Sequence, residues 1–310
     1  MAEPFISICI PAYKRVEFLK RLLDSISIQR FKDYEIILSD DSPGSEVREL
    51  LQHYASLPVN YVKNPASLGT PANWNNAMKL AKGKWIKMMH DDDWFSSADS
   101  LEYFAATARK NENTVIFSAY ANHYFGEGKV QPVKCLSSSL ARINRDANTL
   151  IAGNQVGPPS VIMHPNDGKV LYDERMKWLV DIDFYISRAK NQEFVYINKT
   201  LVNVGISEEQ VTQDCFRVPE VELPEHFLLL QKTGTRPLRN ILIYDAWWRL
   251  FRNLEAYDKQ VMDKYVKDIW PPVIYRIMKD AGRVRKLIGF GPLSKIMMTI
   301  SFLKNRKLIE

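Results

Sequence analysis

Apolar residues follow two alternating rhythms over the first third of the chain. Phe5-Ile6-Ser7-Ile8-Cys9-Ile10 is a short run rich in β-branched residues, stopped by Pro11, and reads as a buried strand. Val16, Leu19, Leu22, Leu23 and Ile26 then recur at helical spacing, which predicts an amphipathic helix. Tyr34 to Leu38 is a second strand, closed by the turn formers Asp40-Asp41-Ser42-Pro43-Gly44. Val47 to Tyr54 reads as helical, Val59 to Val62 as a third strand, Pro71 to Ala81 as a helix, and Trp85 to Met89 as a fourth strand. Strand and helix alternating in this way predict right-handed crossovers and a mostly parallel sheet covered on both faces. Ligands of such sheets bind beyond the carboxyl ends of the strands. Here those ends carry Pro11-Ala12-Tyr13, Asp40-Asp41 and His90-Asp91-Asp92-Asp93, so two of the three bring acid to one crevice.

From about Gln231 the strand-like runs give way to helical segments in which Trp247, Trp248, Phe251 and Trp270 stand among basic residues. A boundary is expected between about residues 220 and 235, with Pro219, Pro224 and Thr233-Gly234-Thr235 as linker candidates. The charge changes there too. Residues 231–310 hold 17 Lys and Arg against 7 Asp and Glu, and the first 230 hold 25 against 29, so a net charge of +6 conceals an acidic front and a basic tail. At 310 residues and 46% hydrophobic the chain can bury a substantial core. Cys9, Cys135 and Cys215 are odd in number and far apart, which excludes a disulfide framework and suggests a reducing compartment. With neither a long apolar run nor a leader-like N-terminus, the chain is expected to be cytoplasmic.

The phosphate-binding glycine motifs G-x-x-x-x-G-K-[ST] and G-x-G-x-x-G after a strand are both missing, as are G-x-S-x-G and H-E-x-x-H. Any phosphate bound here is therefore expected to be held through a divalent metal. Three successive aspartates repel one another unless paired. One reading makes them a solvated turn, with Asp93 capping a following helix. Their place after a buried strand and opposite a second acidic end favours a site for a hard ion such as Mg2+ or Mn2+.

Five segments, in order, resemble the successive blocks of family 2 glycosyltransferases of the GT-A fold. They are Ser7 to Arg15, Glu35 to Ser42, Asn64-Pro65-Ala66-Ser67-Leu68-Gly69, Asn73-Trp74-Asn75-Asn76-Ala77 and Gly83 to Trp94. The match runs from residue 5 to about 95 and continues more weakly to about 212. The resemblance implies an α/β catalytic domain over 1–220, with a mostly parallel Rossmann-like sheet flanked by helices. A nucleotide-sugar half covers about 1–115 and an acceptor half about 116–220, followed by a basic helical region over 221–310. It implies a donor site at Pro11, Ala12, Tyr13, Arg15, Asp40, Asp41, Asn73, Asn75, Asp91 and Asp92, with Asp41 accepting from a base N–H. Asp92 and Asp93 are the implied ligands of Mn2+ or Mg2+. His90 stands where many members carry the first Asp, and is either a packed side chain or itself a ligand.

Trp178 to Arg188 resembles the block that carries the catalytic base, with Val180 in place of Glu. It implies Asp181 as the base, with Asp183 as the alternative. Gly205 and Ser207 stand where relatives often carry Arg and His. The implied activity is metal-dependent, inverting transfer from a UDP- or dTDP-linked sugar to a saccharide or lipid-linked acceptor in surface polysaccharide synthesis. A catalytically silent sugar-nucleotide-binding subunit is the alternative. The tail's aromatics sit at spacings that suit packing, which argues against nucleic acid as a partner. Leu293, Ile296, Met297, Ile300 and Leu303 share one helical face flanked by Lys295, Lys304, Arg306 and Lys307. That stripe fits equally a helix lying on the inner face of an anionic membrane and one packed on the catalytic domain.

Overall fold

A computed structural model describes residues 3–207, 215–285 and 291–309. The last residues of the weaker family match, 208–212, lie outside the described residues, as do 286–290 of the basic tail. The alternation read from the sequence builds the first half of one sheet. Its strands are β1 (Ile6–Ala12), β2 (Tyr34–Asp40), β3 (Val59–Lys63) and β4 (Trp85–Met88), in the order β3-β2-β1-β4 and parallel throughout. β1 lies between β2 and β4 and all seven of its residues are buried, which is why it is apolar without alternation. Helix α1 (Val16–Ser27) buries Leu19, Leu22, Leu23 and Ile26, while α2 (Glu46–Leu51) and α3 (Ala72–Leu80) complete the crossovers.

The second half of the sheet is mixed. β5 (Trp94–Phe95), β6 (Val115–Tyr124), β7 (Lys129–Val133), β8 (Ile162–Pro165) and β9 (Phe194–Ile206) extend the order as β4-β8-β6-β9-β5, with β7 on β6. Only β6 and β9 pair in parallel here; the other pairings are antiparallel. Helices α4 (Ser100–Lys110), α5 (Ser137–Arg145) and α6 (Val180–Ala189) punctuate this half.

The chain divides into two compact units. The first comprises residues 1–144, 155–174 and 184–210; the second takes 145–154 and 175–183 from earlier in the chain and joins them to 211–310. The second unit contains α7 (Pro219–Thr233), α8 (Ile241–Asn253), α9 (Lys259–Tyr265), α10 (Pro272–Arg283) and α11 (Gly291–Asn305). Pro219 opens α7, Pro224 lies inside it, and Gly234 closes it at φ 70°, so the two prolines expected in a linker belong to a helix. Trp247, Trp248, Phe251 and Trp270 are core residues of this unit, together with Leu223, Ile243, Ile274 and Ile277. No helix among the described residues is long and apolar enough to cross a membrane.

Within the second unit, buried Glu225 of α7 accepts three backbone N–H groups, from Lys177 (2.8 Å), Trp178 (2.9 Å) and Leu179 (2.7 Å). It thereby ties the segment that leads into α6. Glu225→Ala leaves three donors without their acceptor and should lower stability by about 3 kcal/mol in urea unfolding. Glu225→Gln, which keeps one carbonyl acceptor, should recover part of the loss; equal stability of Glu225→Ala and wild type would contradict this role.

Candidate active site

Beyond β1 the chain turns through Lys14, a non-glycine residue in the left-handed region at φ 64°, whose N–H donates to Ser42 Oγ at 2.8 Å. Such a conformation costs on the order of 1 kcal/mol and persists where its surroundings over-determine it. Arg15 follows, and its guanidinium spans the acid at the end of β4. One nitrogen bonds Asp91 Oδ1 and another bonds Asp92 Oδ2 at 2.9 Å. The Tyr13 N–H donates to Asp91 Oδ2 at 3.3 Å while its ring stays exposed. Pro11 and Ala12 are buried in the last residues of β1.

Asp91, Asp92 and Asp93 are all buried. Asp93 accepts from the Gly205 N–H at 3.0 Å and from the Ser160 hydroxyl. It does not cap a helix, because β5 begins at the next residue. Burial, with the neighbouring Asp92 charge, raises the pKa of Asp93 well above the carboxylate range. Burial likewise raises Asp91, against the lowering effect of Arg15. The His90 ring lies tilted against Trp74 with centroids 4.5 Å apart, and its buried Nε2 has no hydrogen-bond partner among the described residues. Burial lowers the His90 pKa to about 4, so the imidazole is neutral at pH 7 and keeps a lone pair.

Ligand atoms of His90, Asp92 and Asp93 lie within 4.8 Å of one another. Arg15 pairs with two of the three carboxyl groups, and a divalent cation beside Asp92 and Asp93 would favour their ionised forms. An orphaned imidazole nitrogen beside carboxylate oxygens fits Mn2+, whereas Mg2+ prefers oxygen alone.

Two supporting groups were missed by sequence reasoning. Lys87 is fully buried in β4; its Nζ donates to Ser160 O and, at 3.1 Å, to Met88 O. Burial lowers its pKa to about 7. Lys87 therefore pins Ser160, whose hydroxyl accepts the His90 N–H at 2.9 Å and donates to Asp93. A lone lysine in an otherwise apolar strand was the available signal. Gly205 is the other: a Cβ there would lie 2.4 Å from Asp92 O and 2.7 Å from the Phe125 ring. Where relatives were expected to carry Arg, this chain has room only for backbone, and the backbone N–H holds Asp93.

The second acidic end is organised differently. Asp40 accepts from Tyr61 Oη (2.8 Å), Lys63 Nζ (3.0 Å) and Ser42 N (2.8 Å). Asp41 Oδ2 accepts from Leu68 N (3.0 Å), Gly69 N (2.8 Å) and Ser67 Oγ (3.3 Å), and Oδ1 accepts from Asn64 Nδ2 at 2.6 Å. Asn73 and Asn75 were expected to touch the donor directly. The structure turns both amides inward, Asn73 to Ser39 O and Asn64, Asn75 to the Tyr172 backbone and Glu174. Asn75 thereby positions Tyr172, whose ring packs edge-on at 5.0 Å against Trp74, the ring that lies against His90.

Asp181 and Asp183 open α6 and belong to the second unit. Lys232 of α7 donates to both carboxyl oxygens of Asp183, at 2.8 and 2.7 Å. Asp181 has no such cation: its Oδ1 is buried and has no hydrogen-bond partner among the described residues, and burial raises its pKa to about 7. Two positions along a helix separate their directions, and the environments separate their chemistry.

Comparison with known proteins bears on these arrangements. The family model for Glycosyl transferase family 2 matches residues 7–164. An uncharacterized glycosyltransferase of Methanocaldococcus jannaschii is 31% identical over 81% of this chain and 86% of its own. A UDP-Glc:alpha-D-GlcNAc-diphosphoundecaprenol beta-1,3-glucosyltransferase, WfaP of Escherichia coli, is 28% identical, but over 38% of this chain and 46% of its own length. The crystal structure of S. aureus TarS 1–349 in complex with UDP-GlcNAc superposes with a TM-score of 0.60, covering 97% of this chain and 91% of that one. At 16% identity that likeness shows the fold alone. The chain thus belongs to glycosyl transferase family 2 and is a glycosyltransferase with a GT-A fold.

Proposed function

We propose that this enzyme transfers a sugar, with inversion, from a UDP- or dTDP-linked donor to a hydroxyl of a saccharide or lipid-linked saccharide, using Mn2+ or Mg2+. The observation that carries the reading is the gathering of His90, Asp92 and Asp93 beside Arg15 at the carboxyl end of the central parallel strands. The UDP-GlcNAc bound by TarS and the diphosphoundecaprenol acceptor named for the E. coli relative support the donor and acceptor classes.

In this reading His90, Asp92 and Asp93 would hold the cation, which would supply positive charge beside the donor diphosphate. The exposed Tyr13 ring packs on the nucleoside. Asp41, whose Oδ1 accepts one hydrogen bond among the described residues, takes the base N–H. Arg15 holds Asp91 and Asp92 in place. Asp181 takes the proton of the acceptor hydroxyl as its oxygen bonds to the anomeric carbon. The bond from that carbon to the diphosphate oxygen breaks on the opposite face, and the nucleoside diphosphate leaves with the electron pair. Asp183, neutralised by Lys232, is left out of the chemistry.

The reading extends to α11. This helix packs through Ser294, Met298, Ser301, Phe302 and Asn305, while Ile296, Ile300 and Leu303 stay exposed at 55%, 39% and 64%. Of the expected apolar stripe, these three residues face outward between Lys295 and Lys304, and only Leu293 and Met297 are partly covered. An exposed apolar ridge with basic flanks suits shallow insertion into an anionic lipid surface, the kind of surface that carries lipid-linked acceptors.

Two outcomes are expected. In a transfer assay with UDP-sugars, excess chelator should abolish turnover. Asp181→Asn should lower kcat about 100-fold or more while UDP binding is retained. A base works deprotonated, so a pKa raised to about 7 places the acid limb of the wild-type pH profile near 7, and that limb should vanish in the variant. Full turnover in chelator or in Asp181→Asn would refute the mechanism. In flotation, the chain should rise with phosphatidylglycerol vesicles and Ile296→Glu/Ile300→Glu/Leu303→Glu should stay behind; equal flotation would refute the membrane contact.

A further inference from the structure

A second cleft lies in the first unit, beside the acid cluster. It is an open cleft of about 360 Å³ between α1, β5 and the β6–β7 hairpin. Its walls include Arg21, Trp94, Tyr124, Phe125 and Lys129. The Arg21 guanidinium sits over three rings at once: Phe18 at 5.7 Å, Trp94 at 4.7 Å and Phe125 at 4.8 Å. The rings brace one another, since Phe18 stacks on Phe125 at 5.1 Å and Trp94 lies 6.2 Å from Phe125. Lys129 stands 4.9 Å over the Tyr124 ring.

Two cations line this cleft and no carboxylate does. Glu127 lies in the hairpin turn, outside the lining. Arg21 forms no ion pair among the described residues. A guanidinium fixed against aromatic faces keeps its N–H edges for an anion, and flat indole and phenol faces suit the C–H faces of a sugar ring. The site is next to the acid cluster in the chain and in space. Trp94 directly follows Asp93, and the Phe125 ring packs on Gly205, whose N–H holds Asp93.

We infer that this cleft, beside the acid cluster, is a subsite for an acceptor sugar ring bearing an acidic group, carboxylate or phosphate. The assignment to the acceptor rests on the transferase reading above; the preference for an acidic sugar does not. The aromatic rings hold the ring face, and Arg21 with Lys129 pairs the acid through charge-assisted hydrogen bonds.

Isothermal titration of the full chain with three probes tests this: a glucuronate-containing hyaluronan tetrasaccharide, glucose 1-phosphate, and neutral chitotetraose. At least one acidic probe should bind about tenfold or more tightly than chitotetraose, and the better acidic probe identifies the acid. Arg21→Gln should erase that preference without changing chitotetraose binding, and Lys129→Gln, on an exposed hairpin, should weaken it several-fold. Equal or absent binding of all three probes to the wild type overturns the inference, as does an unchanged preference in both variants. UDP binding with Mn2+ is measured on the same samples. Its retention alongside a missing acidic preference refutes the cleft alone, and its absence alongside a clear preference refutes the donor site alone.

Discussion

Crowding of like charge at the end of one strand is the constraint around which the first unit is arranged. Asp91, Asp92 and Asp93 leave β4 in succession and all three are buried. Burial and mutual repulsion favour their protonated forms, and the Asp93 pKa is raised well above the carboxylate range. Each neighbour answers that problem. Lys14 accepts a left-handed backbone so that Arg15 can reach two of the carboxylates. Lys87 spends its ammonium under the cluster on Ser160, and Gly205 gives up a side chain so that its N–H meets Asp93. The compensation is incomplete: Arg15 reaches two of the three carboxyl groups, and His90 Nε2, without a hydrogen-bond partner among the described residues, fits a cation beside Asp92 and Asp93.

The acid at the end of β2 does different work. Asp40 and Asp41 organise the Asn64–Gly69 loop, Asp41 through backbone N–H groups of Leu68 and Gly69 and Asp40 through Lys63. Strand ends that looked equivalent therefore divide into a cluster that could hold a cation and a loop-ordering pair. The same division recurs at α6, where Lys232 neutralises Asp183 and Asp181 keeps a buried, unpaired carboxyl oxygen.

Much of this was legible because it depends on local pattern. The parallel strands β1 to β4 and the helices between them follow from apolar runs and 3.6-residue spacing, and the DDD end of β4 follows from acid after a buried strand. What escaped is what depends on distant partners. Asn73 and Asn75 read as donor contacts, but long-range bonds to Ser39, Tyr172 and Glu174 turn them inward. The antiparallel half of the sheet has strands whose register is set by pairing across the fold, which no local period reveals. Segments 145–154 and 175–183 join the helical unit through a few distant contacts, Ile151 with its core and Glu225 with Leu179 N–H, which leave no compositional mark. The apolar stripe of α11 was readable, but which face packs was decided by Ser294, Ser301 and Asn305 bonding Trp248 and Tyr244.

Pulsed EPR of the protein with Mn2+ and UDP tests the central claim most directly, because it reads the ligands of the cation rather than turnover. The account predicts bound Mn2+ whose spectrum shows nitrogen coupling from one histidine, with the coupling lost in His90→Gln and Mn2+ binding lost in Asp92→Asn. Mn2+ held equally by wild type, His90→Gln and Asp92→Asn, with one unchanged spectrum, would place the cation elsewhere and contradict it.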